Sequence, residues 1–347
     1  MFAKHRIRFF GWFILVAFGV DSVALAASVT VGEKLPDVRF TQMLNGDGRM
    51  ALSQFRGQPV LIQWWDDCPL CLGAIDKIDK LHREYGPKGL VVILMEGGKS
   101  DLQSAASVLM REHPQCEARL TTAHSVPVRF TDNGWSPKCV VLGVDGTVLA
   151  AAGNHNLGNK IEKLLREELA KAKRGWGSHA KVREARALLH GKGDLAGARR
   201  LLDELNADSS AAKGTAPKEI APTEIAEVRG ELEARLAARK LAVNHLLETG
   251  RWAQAREEAR AFAEAVAGLK DHEAAATSLL ALFDSDEAAL ELSLEKKLAG
   301  ILKVLHESGA STATGRKLSR FAEETRGTKV GERAHYLAAL VEQAAKE

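Results

Sequence analysis

Residues 62–75, IQWWDDCPLCLGAI, set Cys68 and Cys71 two residues apart where a short apolar run gives way to helical spacing. Residues 59–65 read as a buried strand. From there apolar positions recur every three or four residues, at Cys71, Ile75, Ile78, Leu81 and Tyr85. Asp76, Lys77, Asp79, Lys80 and Arg83 take the other face, which predicts an amphipathic helix. A cysteine pair at such a junction fits three chemistries: a metal clamp, a structural staple or a reversible redox switch. A structural zinc site needs four ligands, usually from two such pairs, and Cys116 and Cys139 are single. A staple across so small a loop constrains the unfolded chain little. The redox reading fits the position. Unpaired N–H groups and the helix dipole at a helix N-terminus favour thiolate over thiol. Cys68 is then the attacking thiol, and Cys71, one turn in, is placed to release the partner from the mixed disulfide.

The flanking chain reads as an α/β unit. GEKLPDVRF and GDGRMALSQFRGQP carry the turn residues and short alternation of a small hairpin. LVVILM at residues 90–95 is a second buried strand. Ser100 and Gln103 form a capping box that opens a helix to about His113. KCVVLGVDGTVLAAAG holds two strands joined at Val144-Asp145-Gly146, since Asp-Gly marks a tight turn. Leu157, Ile161, Leu164, Leu165 and Leu169 line one face of a closing helix.

At 347 residues the chain is long for one core, which favours two domains. Past about Gly175 it turns rich in Ala, Glu, Leu, Lys and Arg and nearly loses strand pattern. SHAKVREARALLHGKGDLAGARRLLDEL and ARKLAVNHLLETGRWAQAREEARAFAEA each read as two helices about a Gly-containing turn. The matching GDLAGARRLL and GRWAQAREEA suggest tetratricopeptide-type hairpins, but their 57-residue offset is not that repeat's 34. A plain helical bundle fits as well. DSSAAKGTAP at 208–217 reads as a flexible loop. This half holds no cysteine and no Gly-rich phosphate loop, so partner binding is the expectation there.

Lys4, Arg6 and Arg8 precede the apolar residues 9–20, and ALA follows at 24–26. This is the pattern of a secretory signal peptide over residues 1–26, with cleavage expected after Ala26. The rival is an uncleaved membrane anchor, although twelve residues are short of the roughly 20 that span a bilayer. The mature chain is expected to be periplasmic or secreted, where disulfides persist. Residues 1–26 carry a net +2 of the total +3, so the rest is nearly balanced and offers no case for nucleic acid.

The strand, WWDDCPLC and the amphipathic helix resemble the thioredoxin superfamily. GEKLPDVRF with LSQFRGQPVLIQWW is similar to its extracytoplasmic thiol–disulfide oxidoreductase branch, which shares ancestry with peroxiredoxin-like proteins. The resemblance spans residues 29–173, under half the chain. It implies a thioredoxin-like α/β domain over 27–175, and the composition past Gly175 sets an all-α domain over 176–347 after it. It also implies protein thiols and disulfides as substrates, a redox partner, and no cofactor or metal. Trp64 matches the family's tryptophan four residues before the first cysteine. WSPKCVVLGVDGTV matches its cis-proline strand and hairpin, which nominates Ser136-Pro137 as the cis bond, with Pro127 the competitor. In the family that proline packs against the cysteine pair, and the backbone of the preceding residue docks substrate.

The departures are specific. Asp67 stands where the family has an aromatic, and Asp66 and Asp67 set carboxylates beside Cys68; like charge raises a thiol pKa and opposes the helix N-terminus. Ile62 replaces the buried carboxylate six residues before the first cysteine, leaving Asp66 or water for proton transfer. Pro69-Leu70 differs from the Gly-Pro of strong reductants, so the direction of exchange stays open. Peroxidase chemistry would want a Thr where Asp66 and Asp67 stand. Copper delivery, with His124 as a third ligand, would want three residues between the cysteines. A redox sensor or partner-binding scaffold is the alternative to an enzyme. Cys116 and Cys139 are either a second disulfide or small buried apolar residues. His113, His155 and the other histidines are expected at the surface.

Overall fold

In a computed structural model of the chain the described residues are 27–97, 100–123, 128–129, 138–211 and 222–346. The signal segment, His124, Pro127, Ser136, Pro137 and most of the 208–217 loop lie outside them.

Among the described residues seven strands are present: β1 (Ala27–Ser28), β2 (Val60–Trp65), β3 (Val91–Glu96), β4 (Arg119–Thr122), β5 (Val128–Arg129), β6 (Lys138–Leu142) and β7 (Val148–Gly153). Five form one mixed sheet in the order β4-β3-β2-β6-β7, while β1 and β5 pair separately. β2, β3 and β4 run parallel; β6 and β7 are antiparallel additions. The register sets Trp65 beside Glu96 and Gln63 beside Cys139. β2 and β3 are buried almost throughout, as expected of parallel strands covered on both faces. The expected hairpin turns at Gly146, whose φ of 83° suits glycine. The short edge strand β4 is an addition to the sequence reading; RLTT carries no clear alternation.

Three helices cover one sheet face: α1 (Pro69–Tyr85), α2 (Leu102–Glu112) and α3 (Asn154–Arg174). Right-handed crossovers between successive parallel neighbours put α1 and α2 on the same side. There Ile75 and Ile78, Ala105 and Leu109, and Ile161 and Leu165 share a core with Leu61, Trp65 and Cys71. Each isoleucine so buried stabilises the fold by about 1.5–3 kcal/mol relative to exposure. The N-terminal segment covers the other face with Val38, Phe40, Met43 and Phe55. The cap of α2 is corrected: Asp101, not Ser100, accepts the Ser104 N–H, at 2.7 Å. An ionised carboxylate at an N-cap offsets the unpaired donors more strongly than a hydroxyl.

The remaining chain is helical among the described residues. α4 (Ala180–Arg186) runs into a π-helical turn at Ala187–Lys192, and α5 (Leu195–Ala211) follows. Then come α6 (Pro222–Glu248), α7 (Trp252–Ala265), α8 (Lys270–Ala281), α9 (Asp286–Ser308), α10 (Thr312–Glu324) and α11 (Lys329–Ala344). Two apolar clusters hold them, one built on α4 to α8 and one on Trp252 with α9 to α11. These helices also pack on the sheet domain. Leu340 of α11 enters the core beneath α2, and Met110 of α2 packs against the α9–α11 cluster. The Arg251 guanidinium donates to the Gly46 carbonyl, and Arg235 donates to Gln58 Oε1 at 3.1 Å.

Candidate active site

β2 ends at Trp65 and α1 begins at Pro69, so the cysteine pair lies at a strand-to-helix junction. Pro69 suits the first helical position because the N–H it lacks would be unpaired there. Cys68 is the N-cap, with extended backbone, and its sulfur accepts the Cys71 N–H at 3.2 Å. The two form a disulfide with Cα atoms 5.2 Å apart. They are not equivalent: Cys71 is fully buried and Cys68 is half-buried. Beside Cys68, Leu70 is 78% exposed, an apolar side chain held out at the rim of the pair.

The carboxylates flanking Cys68 are held differently. Asp67 is exposed and lies 3.7 Å from Arg111 of α2, so a cation faces its charge. Asp66 is half-buried, and its backbone carbonyl accepts the Cys68 N–H at 2.7 Å. Its carboxylate lies over Gly97: a Cβ there would come within 3.3 Å of Asp66 Oδ1 and 3.0 Å of Trp64 Cδ1. Trp64 is half-buried and packs with the N-terminal segment's core, on the face away from Cys71. Trp65, one residue later, is fully buried in the core that contains Cys71.

Two polar side chains that sequence reasoning missed lie on that face. Gln63 is fully buried between Leu61 and Trp65; its amide donates to the Trp64 carbonyl at 2.7 Å, and its Oε1 has no partner. Glu96 is buried at the end of β3, in register with Trp65. Parallel neighbours in register share a sheet face, so a buried carboxyl lies on the Cys71 side although Ile62 is apolar. The signal was available: Glu96 closes an otherwise apolar strand, as polar groups do at the functional end of parallel strands.

Cys116 and Cys139 are free, not a second disulfide. Burial pushes both thiols up to about 12, so they remain protonated and weakly nucleophilic. Two histidines correct the surface expectation. His113 is buried, with Nδ1 3.1 Å from Asp76 Oδ1. The His190 side chain is buried, with Nε2 3.0 Å from Glu231 Oε2 and its ring stacked on Trp176. Among the described residues no group of three His, Cys, Asp or Glu is placed to hold a metal ion. No described helix is long and apolar enough to cross a membrane.

No protein-family model and no curated protein matches the chain. Solved structures do match in part. A protein assigned as the thiol:disulfide interchange protein DsbE of Chlorobium tepidum is 17% identical, at a TM-score of 0.33. That match covers 41% of this chain and 99% of the other. The thioredoxin domain of a Bacteroides vulgatus thiol-disulfide oxidoreductase is 16% identical at 0.32, covering 40% and 99%. Reduced 2-Cys peroxiredoxin of Plasmodium vivax is 18% identical at 0.30, covering 40% and 79%. These values are too low to carry an activity across; strand order and the placement of the cysteines carry the assignment of the fold. The chain has a thioredoxin-like fold in its sheet domain, with Cys68 and Cys71 as a Cys-x-x-Cys pair at the β2–α1 junction, and a helical region packed on that domain.

Proposed function

We propose that the protein is an extracytoplasmic thiol–disulfide oxidoreductase that exchanges disulfides with protein partners through Cys68 and Cys71. The observation that carries this reading is the Cys68 sulfur at the N-cap of α1, accepting the Cys71 N–H. A negative sulfur gains most there, because the donor and the helix dipole act on it without reorganising.

In the reducing direction the Cys68 thiolate attacks one sulfur of a partner disulfide. A Cys68–partner bond forms, and the second partner sulfur leaves as a thiolate that takes up a proton. Cys71, once deprotonated, attacks the Cys68 sulfur. The internal disulfide re-forms, the partner leaves as a dithiol, and two electrons have passed to it. The reverse sequence oxidises a partner dithiol, and the pair's potential sets the direction. Asp66 and Glu96 are the groups proposed to handle the Cys71 proton. Trp64, Ser136 and Pro137 are proposed to dock the substrate, joined by Leu70 at the rim. The helical region is proposed to hold a protein partner. The basic, apolar and small-residue pattern of residues 1–26 supports export.

Titration of the mature protein against glutathione buffers, followed by alkylation and mass spectrometry, tests the core of the proposal. Reversible interconversion of the Cys68/Cys71 pair is expected. A pair locked in one state across the range sinks the oxidoreductase reading.

A further inference from the structure

Between the sheet domain and the helical region lies a cavity of about 380 Å³. The sheet side contributes Asp47, Arg49 and Gln58; α6 and α7 contribute Arg235, Arg239 and Glu258. The size is that of a small-ligand site, and the lining is unusual in its charge. Three guanidiniums converge on it, against two carboxylates.

Those carboxylates pair with Arg49 and Arg239 and leave Arg235 without one. Asp47 accepts from Arg49 at 2.6 Å and from Arg119 at 2.8 Å, so its charge is already shared. Arg49 and Arg235 both donate to one neutral oxygen, Gln58 Oε1, at 2.6 and 3.1 Å. Arg235 Nε is buried and makes no hydrogen bond, and the same holds for Nε and Nη1 of Arg239. Glu258 lies 3.4 Å from Arg239 Nη1 without forming a hydrogen bond to it. Burial, followed by the like charges of Arg49 and Arg239, lowers Arg235 to about 10. Arg235 is thus a buried cation with no carboxylate of its own, which is costly. Guanidinium donors in fork geometry match the oxygens of a phosphate.

We propose that this interdomain cavity is an oxoanion site that binds a phosphate group, free or carried on a small molecule, through Arg49, Arg235 and Arg239. Its chemistry is independent of the cysteine pair. Because its donors come from both parts of the chain, the bound anion ties the helical region to the sheet domain.

The test uses the mature full-length protein. Inorganic phosphate, glycerol 3-phosphate and succinate are each titrated by calorimetry, with chloride matching ionic strength, and thermal melts are run in parallel. Saturable one-site binding of either phosphate is expected, with a rise in melting temperature that chloride does not give. Tighter binding of inorganic phosphate or of glycerol 3-phosphate tells which source the site takes. Arg239→Gln, at the half-buried edge, should weaken that binding by about tenfold or more. It should leave the rate on a small disulfide unchanged. Arg235→Lys, which keeps the charge but not the fork, gives a second reading should Arg239→Gln fold poorly, and it too should weaken binding. Absence of saturable binding, equal affinity in both variants, or tighter binding of succinate than of either phosphate overturns the proposal.

Discussion

His190 of the helical region occupies the space in which a side chain at Gly57 of the sheet domain would have to sit. A Cβ built on Gly57 falls well inside contact distance of His190 Nδ1. Gly57 also has a φ of 86°, a conformation L side chains rarely adopt, and its N–H donates to the Val144 carbonyl at 2.8 Å. Gly57→Ala is therefore strained twice, in its own backbone and against a buried ring. A loss of about 1–3 kcal/mol is expected, measured by urea unfolding. A change within error would mean that the two parts separate at this point without cost.

The same histidine makes stability depend on pH. Burial lowers the His190 pKa, and the nearby Arg235 and Arg186 add to this, while Glu231 works against it. Burial alone would raise Glu231, but hydrogen bonds from His190 and Arg186 hold its carboxyl below the usual range. Below the unfolded histidine value of 6.5 the unfolded chain takes up a proton that folded His190 resists. That contribution is complete above about 6.5 and is lost on acidification. Glu231 adds stability that is present above its unfolded value of 4.5 and disappears as pH falls through its lower folded value. His82 and His245 are also lowered by burial, so the melting temperature should fall steadily from pH 7 to 5. His190→Gln should remove up to about 1.4 kcal/mol per pH unit of that slope. An unchanged profile would show that His190 titrates as in the unfolded chain.

Cys68 and Cys71 should divide the chemistry as their burial divides them. Cys71→Ser incubated with a protein disulfide should accumulate a mixed disulfide through Cys68, read by mass spectrometry under non-reducing conditions. Cys68→Ser should trap nothing, because Cys71 is fully buried. Trapping by the Cys68 variant instead would reverse the roles.

Proton transfer distinguishes Glu96 from Asp66. Glu96 is buried on the sheet face that carries Trp65 and shares its core with Cys71, whereas Asp66 sits half-buried over Gly97. Glu96→Gln should slow the resolving step by about 10²-fold and flatten its pH dependence. Asp66→Asn should have a smaller effect. Stopped-flow measurement of mixed-disulfide decay across pH reads both, and the opposite ranking would place the proton on Asp66.

The helical region should recruit protein partners by a surface that can be altered without removing the region. Deleting it would expose α2, because Leu340 is part of the core there. On α9, Leu290 and Val304 are exposed and lie near one stripe with the half-buried Ile301. Leu290→Glu with Val304→Glu should spare the rate on a small disulfide. It should lower the rate on a folded protein disulfide by about fivefold, roughly 1 kcal/mol. Equal rates on both substrates would remove α9 as the recruiting surface.

What the sequence determined by itself was local. The apolar run before Cys68, the three-and-four spacing after Cys71 and Asp145-Gly146 are signals within a few residues of the structure they cause, and β2, α1 and the β6–β7 hairpin formed there. The same logic made the helical pairs about Gly193 and Gly250 legible. Tertiary structure decided what those elements face. A hydrophobic period says that a face is buried but not against what, so neither Leu340 beneath α2 nor His190 against Gly57 could be read from spacing. The Cys71 face acquired Glu96 beside Gln63 and Trp65 through strand pairing, which joins residues 31 positions apart, and the choice of Asp101 over Ser100 as cap rested on which side chain reached the Ser104 N–H. Whether a cysteine pairs or stays free depends in the same way on distances the chain sets only once folded, and Cys116 and Cys139 were left apart.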